Sequence, residues 1–264
     1  MSPFDTRAHV VAVVAAPLPY FTLVLDGPAA WLDTVAGQFV MVETAEGLEP
    51  YLRRAFSVHD VSKTDHGARI ELLIKVVGPG TRALSVKRPG DQIAVLGPLG
   101  RPFGDPREGP VALVAGGVGS APLWILGKQL LAAGVRFDFY YGGRSEIDLA
   151  RRDGFADLAQ SSGGEFFATT EDGSYGERGR ITEPLARRLA EGNYRSLYSC
   201  GPMGLLERLA GMCAETGVPG EAALETPMGC GFGACLGCAV ERADGTLALC
   251  CKEGPVFALD EVKW

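Results

Sequence analysis

The sequence predicts a multidomain β + α/β protein: an N-terminal antiparallel β-barrel, a doubly wound α/β domain and a small C-terminal cysteine-rich domain. Three observations carry this reading. Short runs rich in β-branched and aromatic residues, punctuated by Gly and Pro, fill roughly the first hundred residues. Strand-like and helix-like stretches then alternate, and five of the seven cysteines fall beyond residue 229. The boundaries this implies are residues 1–103, 104–221 and 222–264.

In the first segment, residues 10–14, 21–25, 38–42 and 70–76 read as strands, separated by turn signals at Gly27-Pro28, Gly37, Gly78-Pro79-Gly80 and Pro89-Gly90. Many short strands without long helical patterns make a barrel or sandwich. Beyond the polar connector at 105–110, Val111-Ala112-Leu113-Val114-Ala115 is continuously apolar, as in a parallel strand buried on both faces. A helix over about 122–133 follows, then strands over 135–141 and 165–170 and a helix near 184–191. A last strand over 196–200 leads into a helix ending about residue 216. This alternation indicates a doubly wound nucleotide-binding domain. The final forty or so residues show few regular elements.

Composition narrows the function. At 264 residues, 47% hydrophobic and 22% charged, the chain has room for two cored domains and an appendage. A net charge of −7, from 25 basic and 32 acidic residues, argues against nucleic acid as a partner. No stretch approaches the length of apolar chain a membrane span requires, and residues 1–7 lack a charged-then-apolar leader layout. The cysteine usage fits a reducing cytoplasm better than a disulfide framework. The expectation is a cytoplasmic protein that binds neither nucleic acid nor membrane.

Cys230, Cys235 and Cys238 have the spacing C-x4-C-x2-C, and twelve residues separate Cys238 from Cys251. That is the ligand pattern of a plant-type [2Fe–2S] cluster, a carrier of single electrons. The intervening glycines, Gly231, Gly233 and Gly237, let backbone wrap closely around such a group. Cys250 and Cys251 are adjacent, and neighbours on an extended chain point to opposite sides, so one of the two is the fourth ligand. Structural zinc also takes four cysteines, but it usually pairs C-x2-C with a second C-x2-C, which is missing here. Cys200 and Cys213 read as small buried packing residues. His9, His59 and His66 are isolated and read as surface or turn residues, and Glu146 and Asp148 as solvated loop charges.

Two glycine turns follow strands of the α/β segment. Gly116-Gly117-Val118-Gly119 resembles a dinucleotide fingerprint with Pro122 in place of the third glycine, a residue the first turn of a helix tolerates. A tight structural turn explains that motif about as well. The second turn is Cys200-Gly201-Pro202-Met203. In the first segment, Arg54-Ala55-Phe56-Ser57 ends a predicted strand, and its guanidinium fork suits a diphosphate. Alone, Arg54 reads as a surface charge.

These motifs recur in a known order. With Gly97-Pro98-Leu99-Gly100, Glu171-Asp172-Gly173-Ser174-Tyr175-Gly176 and Cys251-Lys252-Glu253-Gly254-Pro255-Val256-Phe257, the chain resembles the ferredoxin–NADP reductase superfamily. Within it, the chain closely resembles the electron-transfer subunits of dihydroorotate dehydrogenase B. The resemblance implies an FAD lined by Arg54, Ala55, Phe56 and Ser57, with Leu73, Ile74 and Lys75 on its ribityl and adenosine side. It places the FAD diphosphate at Gly80 and Thr81. Ile74 and Lys75 stand where relatives often carry an aromatic residue and an arginine. NAD is implied at Gly116, Gly117, Gly119, Gly201, Pro202 and Met203, with Cys200 shaping the nicotinamide pocket. Arg144 and Ser145 leave NADP open as an alternative.

The family's fourth cluster ligand stands immediately before Lys252-Glu253-Gly254-Pro255, which selects Cys251 alongside Cys230, Cys235 and Cys238. The implied activity is electron transfer between NAD and an FMN-containing dihydroorotate dehydrogenase catalytic subunit, by way of FAD and [2Fe–2S]. The implied assembly is a heterotetramer with two of each subunit, serving pyrimidine biosynthesis. One alternative is a related NAD(P)H, ferredoxin or sulfhydrogenase-type reductase subunit with a different partner. Another is a structural zinc module on a vestigial nucleotide fold.

Overall fold

The structure, a computed structural model, describes residues 5–16, 18–44, 51–105 and 108–264. Residues 1–4 of the start, and Pro106 and Arg107 of the polar connector, lie outside the described residues.

Seven strands form the first sheet: β1 (Asp5–Ala15), β2 (Tyr20–Gly27), β3 (Phe39–Val42), β4 (Arg54–Ser57), β5 (Asp60–Thr64), β6 (Gly67–Lys75) and β7 (Gln92–Leu99). Their order is β4-β3-β7-β1-β2-β6-β5, antiparallel throughout. The edge strands are not hydrogen-bonded to each other, so the sheet is a half-barrel with a seam. β5 covers β6 only from Gly67 to Glu71. Beyond that point Leu73, Ile74 and Lys75 pair with β2 alone, and β4 lies across the seam from them. A short helix, α1 (Pro79–Ser85), starts at a proline, whose missing N–H costs nothing in the first turn. Strands β5 and β7 were not marked in the sequence, for physical reasons. β5 is polar (DVSKT), and β7 carries Gly97-Pro98.

The second sheet is built on β8 (Val111–Gly116), β9 (Phe137–Gly143), β10 (Phe166–Thr170), β11 (Glu177–Arg178), β12 (Ser196–Cys200) and β13 (Gly220–Ala223). Helices α2 (Leu123–Ala132), α3 (Arg152–Ser161), α4 (Thr182–Ala190) and α5 (Met203–Thr216) connect its strands. The five apolar residues that open β8 are all buried, as their unbroken hydrophobicity requires. β9 starts later than its apolar pattern, because the Val135 N–H instead closes the end of α2 on the Leu130 carbonyl, 2.9 Å away. The α5 helix ends at Gly217, whose left-handed φ of 72° lets its N–H reach the Cys213 carbonyl at 2.8 Å. β8 lies at the centre, with β9 on one side and β12 on the other, which makes its C-terminal end the switch point where doubly wound sheets bind ligands.

The C-terminal segment is more regular than the sequence suggests. It holds a hairpin, β14 (Ala239–Glu241) and β15 (Leu247–Leu249), then a helical turn, α6 (Cys250–Glu253), and β16 (Val256–Ala258). β16 adds antiparallel to β13 as the seventh strand of the second sheet. Three-residue strands are too short to show a period, which is why they escape a reading by pattern. One hydrophobic cluster unites Phe39, Met41 and Leu99 of the half-barrel with Cys238, Cys250, Cys251 and Phe257. The cysteine segment is therefore packed on both larger units. Among the described residues, no helix is long and apolar enough to cross a membrane.

Candidate functional site

The seam of the half-barrel gathers the first group of predicted residues. Arg54 to Ser57 form the edge strand β4, paired with Val42 to Phe39 of β3 and open on the other side. Arg54 and Gly80 meet: a Cβ added at Gly80 would lie 3.4 Å from Arg54 Cγ and 3.2 Å from Thr44 Cγ2. Among the described residues the buried Thr44 hydroxyl has no partner, and it lies beside a backbone where a side chain would be crowded. This cradle fits a diphosphate held by Arg54 and backbone amides. The Thr81 hydroxyl is already engaged, accepting from the Val77 and Gly78 N–H groups at 2.9 and 3.1 Å and donating to the Gly78 carbonyl at 3.1 Å. What the turn offers a ligand is its backbone. The Leu73 and Ile74 side chains are likewise buried, so those residues present only the unpaired backbone edge of β6 to the seam.

The two glycine turns come together at the ends of neighbouring strands, where Ala115 pairs with Cys200. A Cβ at Gly119 would fall 2.3 Å from the Cys200 carbonyl, and one at Gly116 would fall 2.8 Å from Pro202 Cδ. Only glycine permits this approach. The turns border a cleft of about 530 Å³ that runs from Lys75 and Val77 of the barrel across Gly116, Gly142 and Pro202. Gly117 and Gly204 line it too, while Met203 stands half exposed beyond Pro202. Cys200 is buried, and burial, reinforced by the Glu225 carboxylate, pushes its thiol far up. Its thiol is held neutral behind the turn, unsuited to act as a nucleophile, and the cleft is lined by its neighbour Pro202 and not by Cys200 itself.

Glu225 is a residue the sequence reading missed. It follows β13, lines the same cleft, and keeps some surface open while crowding raises its carboxyl above the usual range. No motif marked it, because only the alignment of β13 beside β12 brings it near Cys200.

Two expectations are overturned beside this cleft. His59 is not a surface residue. It is fully buried between the two sheets, its Nδ1 3.0 Å from the Ala121 carbonyl and its ring stacked on Trp124 at 5.5 Å. Burial, then the nearby Arg151 charge, push its imidazole down to about 4. Asp148 is not a solvated loop charge, since its carboxylate is only 13% exposed and accepts from Lys75 Nζ and the Tyr20 hydroxyl. Glu146 remains exposed and pairs with Arg152 at 2.7 Å. His9 and His66 are exposed, as expected.

The cysteine loop sits against the barrel. Gly231, with φ of 83°, has no room for a side chain, because a Cβ would lie 2.4 Å from Met41 Cγ and 3.2 Å from Leu99 Cδ1. Cys235 is exposed, Cys230 half-buried, and Cys238 and Cys251 buried. The Ala234 N–H points at Cys230 Sγ (3.3 Å) and the Cys251 N–H at Cys238 Sγ (3.4 Å), the polarity that stabilises thiolates. Burial opposes ionisation of Cys230, but amides of Cys235, Phe232 and Ala234 bring its thiol down to about 6.

Cys251 behaves in the opposite way. Burial and the adjoining Cys238 push its thiol up to about 12. Among the described residues, no three or more His, Cys, Asp or Glu side chains already stand in a metal-holding arrangement. A dinuclear cluster takes two thiolates at each iron, so Cys230, Cys235, Cys238 and Cys251 match its donor set in number and kind. Cys250 and Cys251 open the helical turn α6 and do not lie on an extended chain as expected. They still diverge: Cys251 faces Cys238, whereas Cys250 Sγ faces the Leu224 carbonyl at 3.8 Å.

Comparison with known proteins agrees with this three-part site. Residues 9–103 match the oxidoreductase FAD-binding domain, and residues 113–210 match the oxidoreductase NAD-binding domain. Residues 225–263 match the iron–sulfur cluster binding domain of dihydroorotate dehydrogenase B. The chain thus carries domains for FAD, NAD and an iron–sulfur cluster. It is 38% identical, over 99% of its length and 98% of the relative's, to the electron transfer subunit of dihydroorotate dehydrogenase B (NAD(+)) of Desulforamulus reducens. The subunit of that name from Bacillus cereus strain Q1 is 33% identical over 92% of each chain. Among solved structures, a chain of the NADH-dependent reduced ferredoxin–NADP oxidoreductase superposes with a TM-score of 0.84. It is 30% identical, with 97% of this chain and 90% of that one covered. From half-barrel to cysteine loop, the chain belongs to the family of dihydroorotate dehydrogenase B electron transfer subunits.

Proposed function

We propose that this chain passes electrons between NAD and a dihydroorotate dehydrogenase catalytic subunit carrying its own FMN, in pyrimidine biosynthesis. The observation that carries this reading is the seating of Gly231 on Met41 and Leu99, which joins the cluster loop to the half-barrel whose seam opens beside the dinucleotide cleft. When bound, NAD and FAD exchange a hydride, and the cluster carries electrons singly.

The chain's residues hold these groups in line. Arg54 and the amides of the Gly80-Thr81 turn balance the FAD diphosphate, and Ala55, Phe56, Ser57 and the Leu73–Lys75 edge flank the ring and ribityl chain. Gly116, Gly117 and Gly119 with Gly201, Pro202 and Met203 seat the dinucleotide, while Cys200 backs the nicotinamide end from behind the turn. Cys230, Cys235, Cys238 and Cys251 hold a [2Fe–2S] cluster. Exposed Cys235, flanked by the exposed apolar side chains of Phe232 and Leu236, suits contact with the partner in an assembly of two of each subunit. Seven cysteines, four of them in a cluster pattern, support the cytoplasm as the setting.

The purified protein should be brown-yellow, with flavin bands and sulfide-to-iron absorption that NADH bleaches. Dihydroorotate should bleach them only once the catalytic subunit is added. One zinc and no iron per chain would sink the proposal. A second reading, a reductase subunit serving a ferredoxin-linked partner, is favoured by the 0.84 superposition on the NADH-dependent ferredoxin–NADP oxidoreductase chain. Reduction by ferredoxin, with no response to dihydroorotate and the catalytic subunit, would select it.

A further inference from the structure

Hydride transfer demands that donor and acceptor lie about 3–3.5 Å apart. In the function proposed above, on which this inference rests, the two partners are carried by different units of the fold. The flavin sits on the half-barrel, the nicotinamide on the second sheet. Something must set the width of the cleft between them.

One side-chain cluster spans that gap at the wall of the cleft. Tyr20 and Lys75 are cross-strand neighbours on β2 and β6. Asp148 closes a short 3-10 turn (Glu146–Asp148) just past β9. Its carboxylate accepts from Lys75 Nζ at 2.6 Å and from the Tyr20 hydroxyl at 2.9 Å. Its second oxygen accepts from the Arg144 N–H at 3.2 Å, which ties it to its own loop. The ammonium of Lys75 also lies 5.2 Å from the Tyr20 ring centroid.

Three features separate this cluster from an ordinary surface ion pair. Tyr20 is 2% exposed and the Asp148 side chain 13%, against 33% for Lys75, so the contact is partly shielded from salt and water. Gly143 leaves no slack behind it, because a Cβ there would sit 2.8 Å from Asp148 Cβ. Both charged partners line the dinucleotide cleft itself. In sequence, Lys75 stands five residues before Gly80, whose turn would carry FAD, and Asp148 lies in the loop after β9 that lines the dinucleotide cleft with Gly143 and Arg144.

We propose that Asp148 is a positioning residue that fixes the reach between the flavin and nicotinamide sites by gripping Lys75 and Tyr20 across the cleft. Lost grip lets the two units drift apart by small distances that binding tolerates and hydride transfer does not. The effect therefore belongs in the limiting rate and not in affinity.

The test uses the FAD- and cluster-loaded chain mixed rapidly with NADH at a series of concentrations. In Asp148→Asn, the limiting rate of flavin bleaching should fall at least tenfold, with the apparent Kd for NADH within threefold and FAD content unchanged. Tyr20→Phe, a milder cut that keeps the ion pair, should lower the limiting rate about threefold. Hydrogen exchange on the same proteins should rise in residues 143–149 and at the adjoining ends of β2 and β6, and nowhere else. A limiting rate within twofold of the unmodified protein in both variants, or a loss lying wholly in Kd, overturns the clasp. If the unmodified protein is not bleached by NADH at all, the parent functional reading fails instead, and the exchange pattern still reports on the clasp.

Discussion

At the scale of single residues, Cys250 and Cys251 are chemically identical neighbours with opposite surroundings. Cys251 faces Cys238 inside the loop, while Cys250 is buried against Leu224. Cys251→Ser should therefore strip the iron and leave FAD bound, whereas Cys250→Ala should keep both at a stability cost of about 1 kcal/mol. Iron content and flavin absorbance read this directly, and the opposite pattern would exchange the two assignments. His59 yields a prediction in pH. Burial lowers its imidazole from the usual 6.5 to about 4, so between those values the unfolded chain binds a proton that the folded chain refuses. Stability is then fully present above pH 6.5 and is lost as pH falls toward 4, by about 2 kcal/mol between pH 7 and 5. Urea unfolding at those two pH values should show that drop, and His59→Asn, which can still donate to the Ala121 carbonyl, should remove most of it. The two residues were not equally legible. Cysteine spacing is a local code that survives without a structure. His59 carries no such mark, because its burial comes from Trp124 and Ala121, more than sixty positions away.

At the scale of elements, the paired glycine turns show what a weak motif becomes once strands are registered. Gly116-Gly117-Val118-Gly119 in isolation says only that the chain turns tightly. Pairing of β8 with β12 sets Gly119 beneath the Cys200 carbonyl with no space for a methyl group. Gly119→Ala should push the turns apart, weakening NADH binding at least tenfold while flavin content stays unchanged, since the half-barrel is untouched. A fluorescence titration with NADH checks it, and unaltered affinity would mean the turn is merely structural. The apolar run of β8 and the helices α2, α4 and α5 were readable because each is long enough to show its period, whereas α3, which follows a polar loop, was not marked. β5, β7 and the short C-terminal strands were not. Their residues are polar, interrupted by Gly-Pro or only three long, and they are strands because neighbours supply the hydrogen bonds. The same limit hid Glu225, which reaches the cleft only through the pairing of β13 with β12.

At the scale of the whole molecule, the cysteine segment is wedged against both larger units. β16 completes the second sheet, and the Arg101 N–H of the barrel side donates to the Gly254 carbonyl at 2.6 Å. The inner side of the cysteine loop is thus fixed, by Gly231 on Met41, and its outer side carries Cys235, Phe232 and Leu236. Electrons crossing a fixed inner contact need an outer contact as close, and the solvent-facing aromatic and leucine side chains around the exposed cysteine are the surface able to provide one. Burying both against a partner removes their apolar area from water, and a charge at either position would have to be desolvated unpaired. The double variant Phe232→Asp, Leu236→Asp should therefore retain iron, FAD and bleaching by NADH, because neither side chain supports the fold. It should fail to co-elute with the catalytic subunit on gel filtration and lose reduction by dihydroorotate at least a hundredfold. Unimpaired co-elution would place the docking surface elsewhere on the chain, whereas intact assembly with slowed reduction would assign these residues to the electron path and not to the grip.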